Sequence, residues 1–258
     1  MTQPAYKFNR LPRHAEYDNR FTFQLEMKHG RPECALECND FSVRRAATVI
    51  DYAETTSLVK EMYSRKGYST DGIVSIPRRE NTITLDAHDS EKIMGTLTVR
   101  LDTRENGLLA DTLYADEINE FRAQGRRVCE VSKLAVDPRF GSKELMASLF
   151  QLAYLYAYVV NRVSDAFIEV NPRHAGFYKR MLGFQEIGVL RTCPRVNAPA
   201  VLLHVELGYM QQQIALHSGR GYSTVEKSLY PYFLNCSAED WIERALRKKS
   251  NRQSRPYR

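Results

Sequence analysis

The segment CEVSKLAVD, residues 129–137, places an acid and a base inside a stretch that otherwise reads as a buried β-strand. Side chains alternate between the two faces of a strand. One face is therefore predicted to carry Val128, Glu130, Ser132, Leu134 and Val136, and the other Cys129, Val131, Lys133 and Ala135. An ionised Glu130 or Lys133 in such a strand costs several kcal/mol unless it has a partner. Because a carboxylate in a cleft can orient or deprotonate a nucleophile, Glu130 is the first candidate catalytic residue.

A structural explanation competes with the catalytic one. Glu130 and Lys133 could form internal ion pairs that hold the N-terminal residues or the segment 104–127 in place. Cys129 could in principle accept an acyl group. It lies one residue away from the Glu130 face, however, and a packed core cysteine is the more common use of this residue.

The turn after this strand has the features of an anion site. In VDPRFGSKEL, residues 136–145, a strand leads to a glycine and then to a helix start, where free backbone N–H groups and the helix dipole favour anions. The candidate residues are Arg139, Phe140, Gly141, Ser142 and Lys143. With a single glycine, the turn does not match a phosphate-binding loop formula.

A second polar group of residues follows a second strand. In EVNPRHAGFYKRMLGF, residues 169–184, a strand ends at Asn171, and a helix carries Arg173 and Tyr178 before it stops at Gly183. Considered by itself, Tyr178 is a packing aromatic residue and Gly183 a helix stop. The two segments in this order are more informative than either one alone.

In this order the two segments resemble the acyl-donor half of GNAT acyltransferases, where a strand, a turn and a helix precede the pattern N-x-x-x-x-x-F-Y-x-x-x-x-G-F. EVSKLAVDP, residues 130–138, is similar to the E-x-S-R-x-x-V-D-P strand of the acyl-homoserine lactone synthases. The NPRH-x-x-FY-x-R-x-LGF run and the long tyrosine-rich helix before it resemble the bacterial N-acyl amino acid synthases still more closely. The resemblance covers about residues 41–207.

This resemblance implies a GNAT-like acyltransferase fold of the α/β (α+β) class, with a mixed central sheet flanked by helices. It also implies transfer of a long-chain acyl group from an acyl-carrier-protein thioester to the amine of an amino acid. No tightly bound cofactor is implied, because the acyl-phosphopantetheine of the carrier protein, or acyl-coenzyme A in its place, is a donor substrate. Such a carrier presents one phosphate, so the glycine-poor turn would suffice as a reduced cradle.

The resemblance further implies roles for individual residues. Glu130 would remove a proton from the amine, backbone N–H groups near Leu134 to Val136 would hold the thioester carbonyl, and Tyr178 would protonate the departing thiolate. Ser132 of the strand motif is carried over as a catalytic residue. The substrate contacts carried over are Lys133, Leu134, Val136, Asn171 and Arg173, and residues 139–143 would face the donor. Lys133 departs from the Arg of the lactone synthases and replaces a bidentate fork by a point charge.

The elements that position these residues follow from hydrophobic periodicity and turn signals. The predicted strands are 41–50, 81–87, 93–101, 128–136, 166–170, 186–190 and 200–207, and the predicted helices are 52–66, 115–124, 145–160, 174–182 and 209–249, the last with Ser237 as a cap. Residues 1–40 show little periodicity. The chain is therefore expected to divide into an N-terminal arm 1–40, an acyltransferase domain 41–207, a C-terminal helical extension 208–249 and a basic tail 250–258.

Composition argues against several other functions. Seven of the 37 Lys and Arg residues lie in 244–258, and the remaining 30 are balanced by 31 acids, so no nucleic-acid partner is expected. The Cys34–Cys38 pair lacks a second pair of Cys or His at ligand spacing, which predicts no metal site. The apolar segment 145–160 is too short to span a bilayer, and the N-terminus lacks the apolar core of a signal peptide, so a cytoplasmic location is expected.

The sequence thus predicts an N-acyl amino acid synthase whose partners are an acyl carrier protein and an amino acid. Three alternatives stay open. They are a non-catalytic GNAT-like module that binds acyl carriers or a protein partner, a coenzyme A-dependent N-acetyltransferase, and lactone synthesis from S-adenosylmethionine.

Overall fold

A mixed sheet of ten strands is the centre of the structure, a computed structural model that describes residues 21–28, 31–75, 80–220, 226–234, 239–240 and 242–246. The strands are β1 Phe21–Lys28, β2 Arg31–Cys38, β3 Ser42–Arg45, β4 Thr82–His88, β5 Ile93–Leu101, β6 Val128–Val136, β7 Asp165–Val170, β8 Gln185–Glu186, β9 Arg191–Cys193 and β10 Ala198–Glu206. The helices are α1 Val49–Ser64, α2 Asp111–Ala123, α3 Lys143–Tyr154, α4 Pro172–Leu182 and α5 Leu207–His217. The strand order is β1-β2-β3-β4-β5-β6-β7-β10-β8, with β9 paired to β10.

Helices cover both faces of this sheet. On one face, α1 and α2 bury Leu58 and Tyr114 in clusters that include Ala135 and Val128, at opposite ends of β6. On the other face, α3 and α4 belong to the largest cluster, which includes Val131 of β6. Strand β6 is therefore covered on both faces, as its sequence predicted, and the carboxyl group of Glu130 is removed from water.

The N-terminal residues differ from the arm that the sequence suggested. Strands β1 and β2 form an antiparallel hairpin, and β2 pairs with β3, so residues 21–38 extend the central sheet. Tyr156 fastens the hairpin, because its hydroxyl accepts the N–H of Cys34 at 2.9 Å. Alternation is visible in β2, whose burial alternates over most of its length, but the charged residues between its apolar positions obscured the pattern. Residues 1–20 lie outside the described part of the chain.

The predicted central helix is confirmed, and the structure shows hydrogen-bond partners for its polar side chains. Helix α3 continues as a π-helix over Leu155–Val160. The hydroxyl groups of Tyr154 and Tyr158 donate to Glu239 at 2.8 Å and to Gln211 at 2.9 Å. These tyrosines interrupt an apolar run because each connects the helix to a different part of the protein. No helix among the described residues is long and apolar enough to cross a membrane.

A β-bulge in β6 corrects the predicted alternation of its side chains. Thr98 lies opposite Ser132 and Thr96 opposite Ala135, so Lys133 and Leu134 together oppose a single residue of β5. Lys133 has a φ of 52°, in the left-handed region that a lysine rarely adopts. After the bulge, each side chain of β6 lies on the face opposite to the one predicted by simple alternation. Ala135 joins the face of Glu130 and Ser132, whereas Leu134 and Val136 join the face of Cys129 and Val131.

The first residues of helices α1 and α2 differ from the predicted ones. Helix α1 begins at Val49, before the predicted residue 52, because Thr48 and Asp51 form a capping box. Helix α2 begins at Asp111, four residues before the predicted start at 115. Strands β4 and β5 are confirmed within one residue at their ends.

The C-terminal half of the sheet also departs from expectation. The predicted strand 186–190 is wrong, because only Gln185–Glu186 pairs there and the next pairing begins at Arg191. The predicted helix over 209–249 is divided, since α5 ends at His217 and Tyr230–Tyr232 form a 3-10 turn. Helical backbone returns at 239–240 and 242–246. Ser237, the predicted cap, and the tail 250–258 lie outside the described residues.

Candidate active site

A gap between two parallel strands opens into a cavity. Strands β6 and β7 pair only as far as Glu130 and Phe167, after which their ladder ends. Strand β7 continues to pair with β10 on its other side up to Val170. A cavity of about 740 Å³ lies here, lined by α1, β6, β7, α4 and the residues around β9 and β10. This geometry brings the two segments singled out in the sequence to opposite walls of one cavity.

Glu130 lies where the two strands separate. Its side chain is buried, and Oε2 accepts the backbone N–H groups of Leu109 and Ala110, which precede α2. Burial raises the pKa of Glu130 from its ordinary value of 4.5 to about 7, although these two bonds and the nearby Arg195 act in the opposite direction. Glu130 therefore combines a structural bond to the segment 104–127 with the ionisation range of a general base at neutral pH.

Arg195, which is partly exposed, and the buried Glu169 form an ion pair in the same cavity. Arg195 donates from Nη2 to Glu169 at 2.5 Å and from Nη1 to the carbonyl of Leu109 at 2.8 Å. The side chain of Glu169 is only 6% exposed. Neither residue was among the site residues predicted from the sequence. A glutamate at the carboxyl end of a parallel strand is a recognisable signal, whereas the single arginine between β9 and β10 carries no local pattern.

Three hydroxyl groups stand near these charges. Tyr63 lies close to Glu130, Arg195 and Tyr68, and burial raises its pKa to about 12. Tyr63 was not among the site residues predicted from the sequence, but it lies in the cavity wall. Ser132 Oγ and the hydroxyl of Tyr68 are buried and have no hydrogen-bond partner among the described residues. Unsatisfied buried hydroxyl groups are uncommon in folded proteins, so these two are available to a ligand.

Tyr178 lies on α4 in the cavity wall. Its ring packs edge to face against Phe150, Phe177 and Phe184. Burial raises the pKa of Tyr178, and Tyr63 and Tyr68 act in the same direction. The hydroxyl thus keeps its proton at neutral pH, which is the state that a general acid needs.

Cys129 does not lie in this cavity wall. It is fully buried on the face of β6 that packs against α3, and burial raises the pKa of its thiol. A protonated, enclosed thiol is a poor nucleophile. The interpretation of Cys129 as a core residue is confirmed.

The backbone of β6 offers a donor to the gap. Asp137 donates its N–H to Met94 of β5. Because neighbouring N–H groups in a strand point in opposite directions, the N–H of Val136 points away from β5 and toward the gap. Ser132, Lys133, Leu134 and Val136 all line the cavity, as does Asn171, which also caps α4 by accepting the N–H of Arg173.

The predicted donor-binding turn lies beside the cavity and not in its wall. The lining includes Pro138 and Met146 but none of Arg139, Phe140, Gly141, Ser142 and Lys143. Arg139 is bonded to Asp137 and lowers the pKa of that carboxyl to about 2. Ser142 caps α3 by accepting the N–H of Leu145 at 3.1 Å. Helix α3 therefore begins after this turn, as predicted, but the guanidinium of Arg139 is bonded to Asp137.

Arg173 stands on the rim, outside the lining residues. Its guanidinium lies 5.0 Å from the centre of the Tyr68 ring and donates to the carbonyl of Lys66. Lys66 itself lines the cavity. No group of three potential metal ligands occurs among the described residues.

Comparison with solved structures agrees with this geometry. The chain is similar to FeeM, an N-acyl amino acid synthase from uncultured soil microbes, with 25% sequence identity, a TM-score of 0.62, and coverage of 67% of this chain and 94% of that one. A putative N-acetyltransferase from Lactobacillus plantarum is similar at 15% identity, with a TM-score of 0.48 over 66% of this chain and 99% of that one. A comparison with curated protein sequences gave no match.

The mixed sheet, the separating parallel strands and the cavity between them define a GNAT-type acyltransferase. The sequence model of one family, described as N-acyl amino acid synthase FeeM, matches residues 54–206. This is more than half of the chain, and the chain belongs to that family. The predicted fold class, family and enzyme class are therefore confirmed.

Proposed function

We propose that this acyltransferase moves a long-chain fatty acyl group from an acyl-carrier-protein thioester to the α-amine of an amino acid, in a ternary complex and without a covalent enzyme intermediate. The observation that supports it most is the position of Glu130, a buried carboxyl group at the point where β6 and β7 separate. Burial there raises the pKa of Glu130 to about 7. FeeM, the similar structure with the highest TM-score quoted above, is an N-acyl amino acid synthase.

Each group in the gap has one task in the proposed reaction. Glu130 takes a proton from the ammonium group, and the neutral amine attacks the thioester carbonyl carbon. The N–H of Val136 donates to the oxyanion that forms. The C–S bond then breaks, and the thiolate takes a proton from Tyr178. The nitrogen gives its second proton to the Tyr178 phenolate, which leaves a neutral amide and restores Tyr178, and Glu130 gives its proton to solvent. One proton is released to solvent for each acyl group transferred.

The shape of the cavity favours a long acyl group over an acetyl group. Its wall contains apolar residues from several elements, among them Met62, Ile73, Leu134, Met146 and Phe177. Burying a methylene against such a wall stabilises the bound donor by about 0.8 kcal/mol. An acetyl donor makes almost none of these contacts, so we expect it to be a poor substrate.

The proposed function is tested by mixing the purified protein with acyl carrier protein charged with a long-chain acyl group and with a pool of the twenty amino acids. Mass spectrometry should detect an N-acyl amino acid and an equal amount of free carrier thiol. Acetyl-coenzyme A and long-chain acyl-coenzyme A serve as alternative donors in parallel reactions. Absence of an N-acyl product from every amino acid, or a higher kcat/KM with acetyl-coenzyme A, would reject the proposal.

Cations near the cavity support a carrier protein as the donor, because carrier proteins are acidic. Arg139 contributes little net charge, since it is paired with Asp137, and this leaves Lys66 and Lys143 as the better docking candidates. Reversing both to Glu should raise the KM for acyl carrier protein several-fold at low ionic strength, because like charges would then repel. The same reversal at Lys28 and Arg162, which do not line the cavity, is the control and should have no effect.

A further inference from the structure

Leu109 brings a base and a cation together in the cavity. Its N–H donates to Oε2 of Glu130, and its carbonyl accepts Nη1 of Arg195 at 2.8 Å. The two side chains are thus bonded to one residue and approach each other closely. In an α-amino acid the amine and the carboxylate are separated by a single carbon atom, so a neighbouring base and cation match that spacing.

Arg195 has donors left for a ligand. A guanidinium has five N–H groups, and Arg195 uses one for Glu169 and one for Leu109. The side chain is 31% exposed and lines the cavity. The remaining donors can meet a carboxylate in the planar, two-bond arrangement that guanidinium groups favour.

The other cations of the cavity wall are worse placed for this task. Arg65 is paired with Glu61, and Arg100 donates to the carbonyl of Gly107. Lys66 is exposed at the end of α1. Lys133 lies in the bulge of β6, beyond the part of the strand that pairs with β7. Arg195, by contrast, donates to Leu109, the residue that also holds Glu130.

Charge balance also favours a zwitterion. The buried carboxylates of Glu130 and Glu169 face one guanidinium, and Tyr63 and Cys193 complete the titratable groups around Arg195. A zwitterion adds no net charge and can replace the Arg195–Glu169 pair with two equivalent pairs. An amine without a carboxylate would leave its ammonium beside Arg195, and a carboxylic acid without an amine would leave its charge beside Glu169.

We propose that Arg195 binds the α-carboxylate of the acceptor while Glu169 receives its ammonium group, and that this pair selects α-amino acids over amines that lack a carboxylate. The inference rests on the proposed function, because it concerns the acceptor of that reaction. It assigns Arg195 and Glu169 to substrate recognition and leaves proton removal to Glu130.

The test compares two acceptors with the same side chain, an amino acid and the amine obtained by its decarboxylation. The wild-type protein should prefer the amino acid by about 10²-fold or more in kcat/KM, since a site built to bind a polar group discriminates strongly against analogues that lack it. Arg195→Gln should lose most of this preference, with a large fall for the amino acid and less than about threefold change for the amine. Arg195→Lys should retain part of it.

Arg191→Gln is the matched control. Arg191 lies in β9 and pairs with Glu117 at 2.8 Å, but it does not line the cavity. It should leave acceptor preference unchanged. Glu169→Gln is a second variant that keeps Arg195 in place, and it should raise the KM for the amino acid more than it lowers kcat.

Two results would overturn the inference without touching the proposed function. One is a wild-type protein that acylates the amine as efficiently as the amino acid. The other is an Arg195→Gln protein that loses the same factor with both acceptors, which is the behaviour of a purely structural ion pair. Calorimetric titration of the amino acid into the protein without donor provides a separate readout, and binding should be lost in Arg195→Gln and kept in Arg191→Gln. Failure of the proposed function would look different, since no acceptor would then yield an N-acyl product.

Discussion

Two regions of the molecule, the surroundings of α3 and the cavity between β6 and β7, treat buried polar groups in opposite ways. On the side of α3, the hydroxyl groups of Tyr154, Tyr156 and Tyr158 all have protein partners, and Gln151 exchanges two hydrogen bonds with the backbone of Leu234. In the cavity, by contrast, two hydroxyl groups have no partner among the described residues and Arg195 uses only part of its donors.

This difference separates architecture from function. A buried polar group without a partner costs about 1–3 kcal/mol, so a fold tolerates it where a ligand will supply the partner. The satisfied groups near α3 hold the hairpin and the C-terminal residues against the sheet. The hydroxyl groups of Ser132 and Tyr68, which have no partner among the described residues, lie in the cavity wall, and substitutions in the two regions should therefore have different consequences.

The largest effect is expected for Glu130→Gln. Gln can still accept the N–H groups of Leu109 and Ala110, but it cannot take a proton, so turnover should fall by about 10² to 10⁴. Wild-type kcat/KM should rise with pH through about 7 as Glu130 loses its proton, and this limb should be absent from the variant. A pH–rate profile checks both points.

The thermal stability of Glu130→Gln is the control for its loss of turnover. The pKa of Glu130 is raised on folding, so its contribution to stability is complete below pH 4.5 and is lost as the pH rises through about 7. Glu130→Gln should remove this loss and melt at or above the wild-type temperature at pH 8. A variant that melts far below wild type, yet keeps normal turnover per folded molecule, would show that Glu130 is architectural and would break the comparison.

Tyr178→Phe should produce the next largest effect. The substitution keeps the ring that packs against Phe150 and Phe184 and removes only the hydroxyl. A general acid should lose about 10²-fold in turnover with little change in stability. Single-turnover measurement of thiol release checks the step directly, and equal rates for the two proteins would place Tyr178 on the architectural side.

Tyr156→Phe should affect stability and leave catalysis unchanged. It removes the acceptor for the N–H of Cys34, and a buried donor without a partner should lower the free energy of unfolding by about 1–3 kcal/mol. Turnover per folded molecule should stay at the wild-type value. Urea unfolding measures the first quantity, and a tenfold loss of turnover would contradict the division between the surroundings of α3 and the cavity.

Ser132→Ala should have the smallest effect of these substitutions. In contrast to Tyr156→Phe, it should affect turnover and leave stability unchanged. No hydrogen bond from Ser132 Oγ to a described residue is lost, so the free energy of unfolding should change by less than about 0.5 kcal/mol. Turnover should fall by up to about tenfold if the hydroxyl bonds to substrate in the transition state. Unchanged turnover would remove Ser132 from the reaction while leaving Glu130 in it.

Much of the framework was predictable because it depends on neighbouring residues. The strands β4, β5 and β6 and the central helix α3 follow from periodicity, and the positions of Glu130 and Tyr178 in one cavity follow from a resemblance that covers both segments. The predictions were wrong where the backbone departs from regular strand geometry. The bulge at Lys133 could not be expected from a lysine, since the left-handed conformation usually selects glycine or asparagine.

The sequence by itself determined the family, the fold class and the buried acid in a central strand, because these depend on patterns of adjacent residues. Only the tertiary structure decided that Leu109 joins Glu130 to Arg195, 65 residues apart in the chain, and that Tyr63 and Glu169 face the same cavity. The tertiary structure also showed that Arg139 forms an ion pair with Asp137. The physical reason is that a polar group acquires its role from whichever partners the fold brings within about 3 Å, and such partners leave no periodic trace in the sequence.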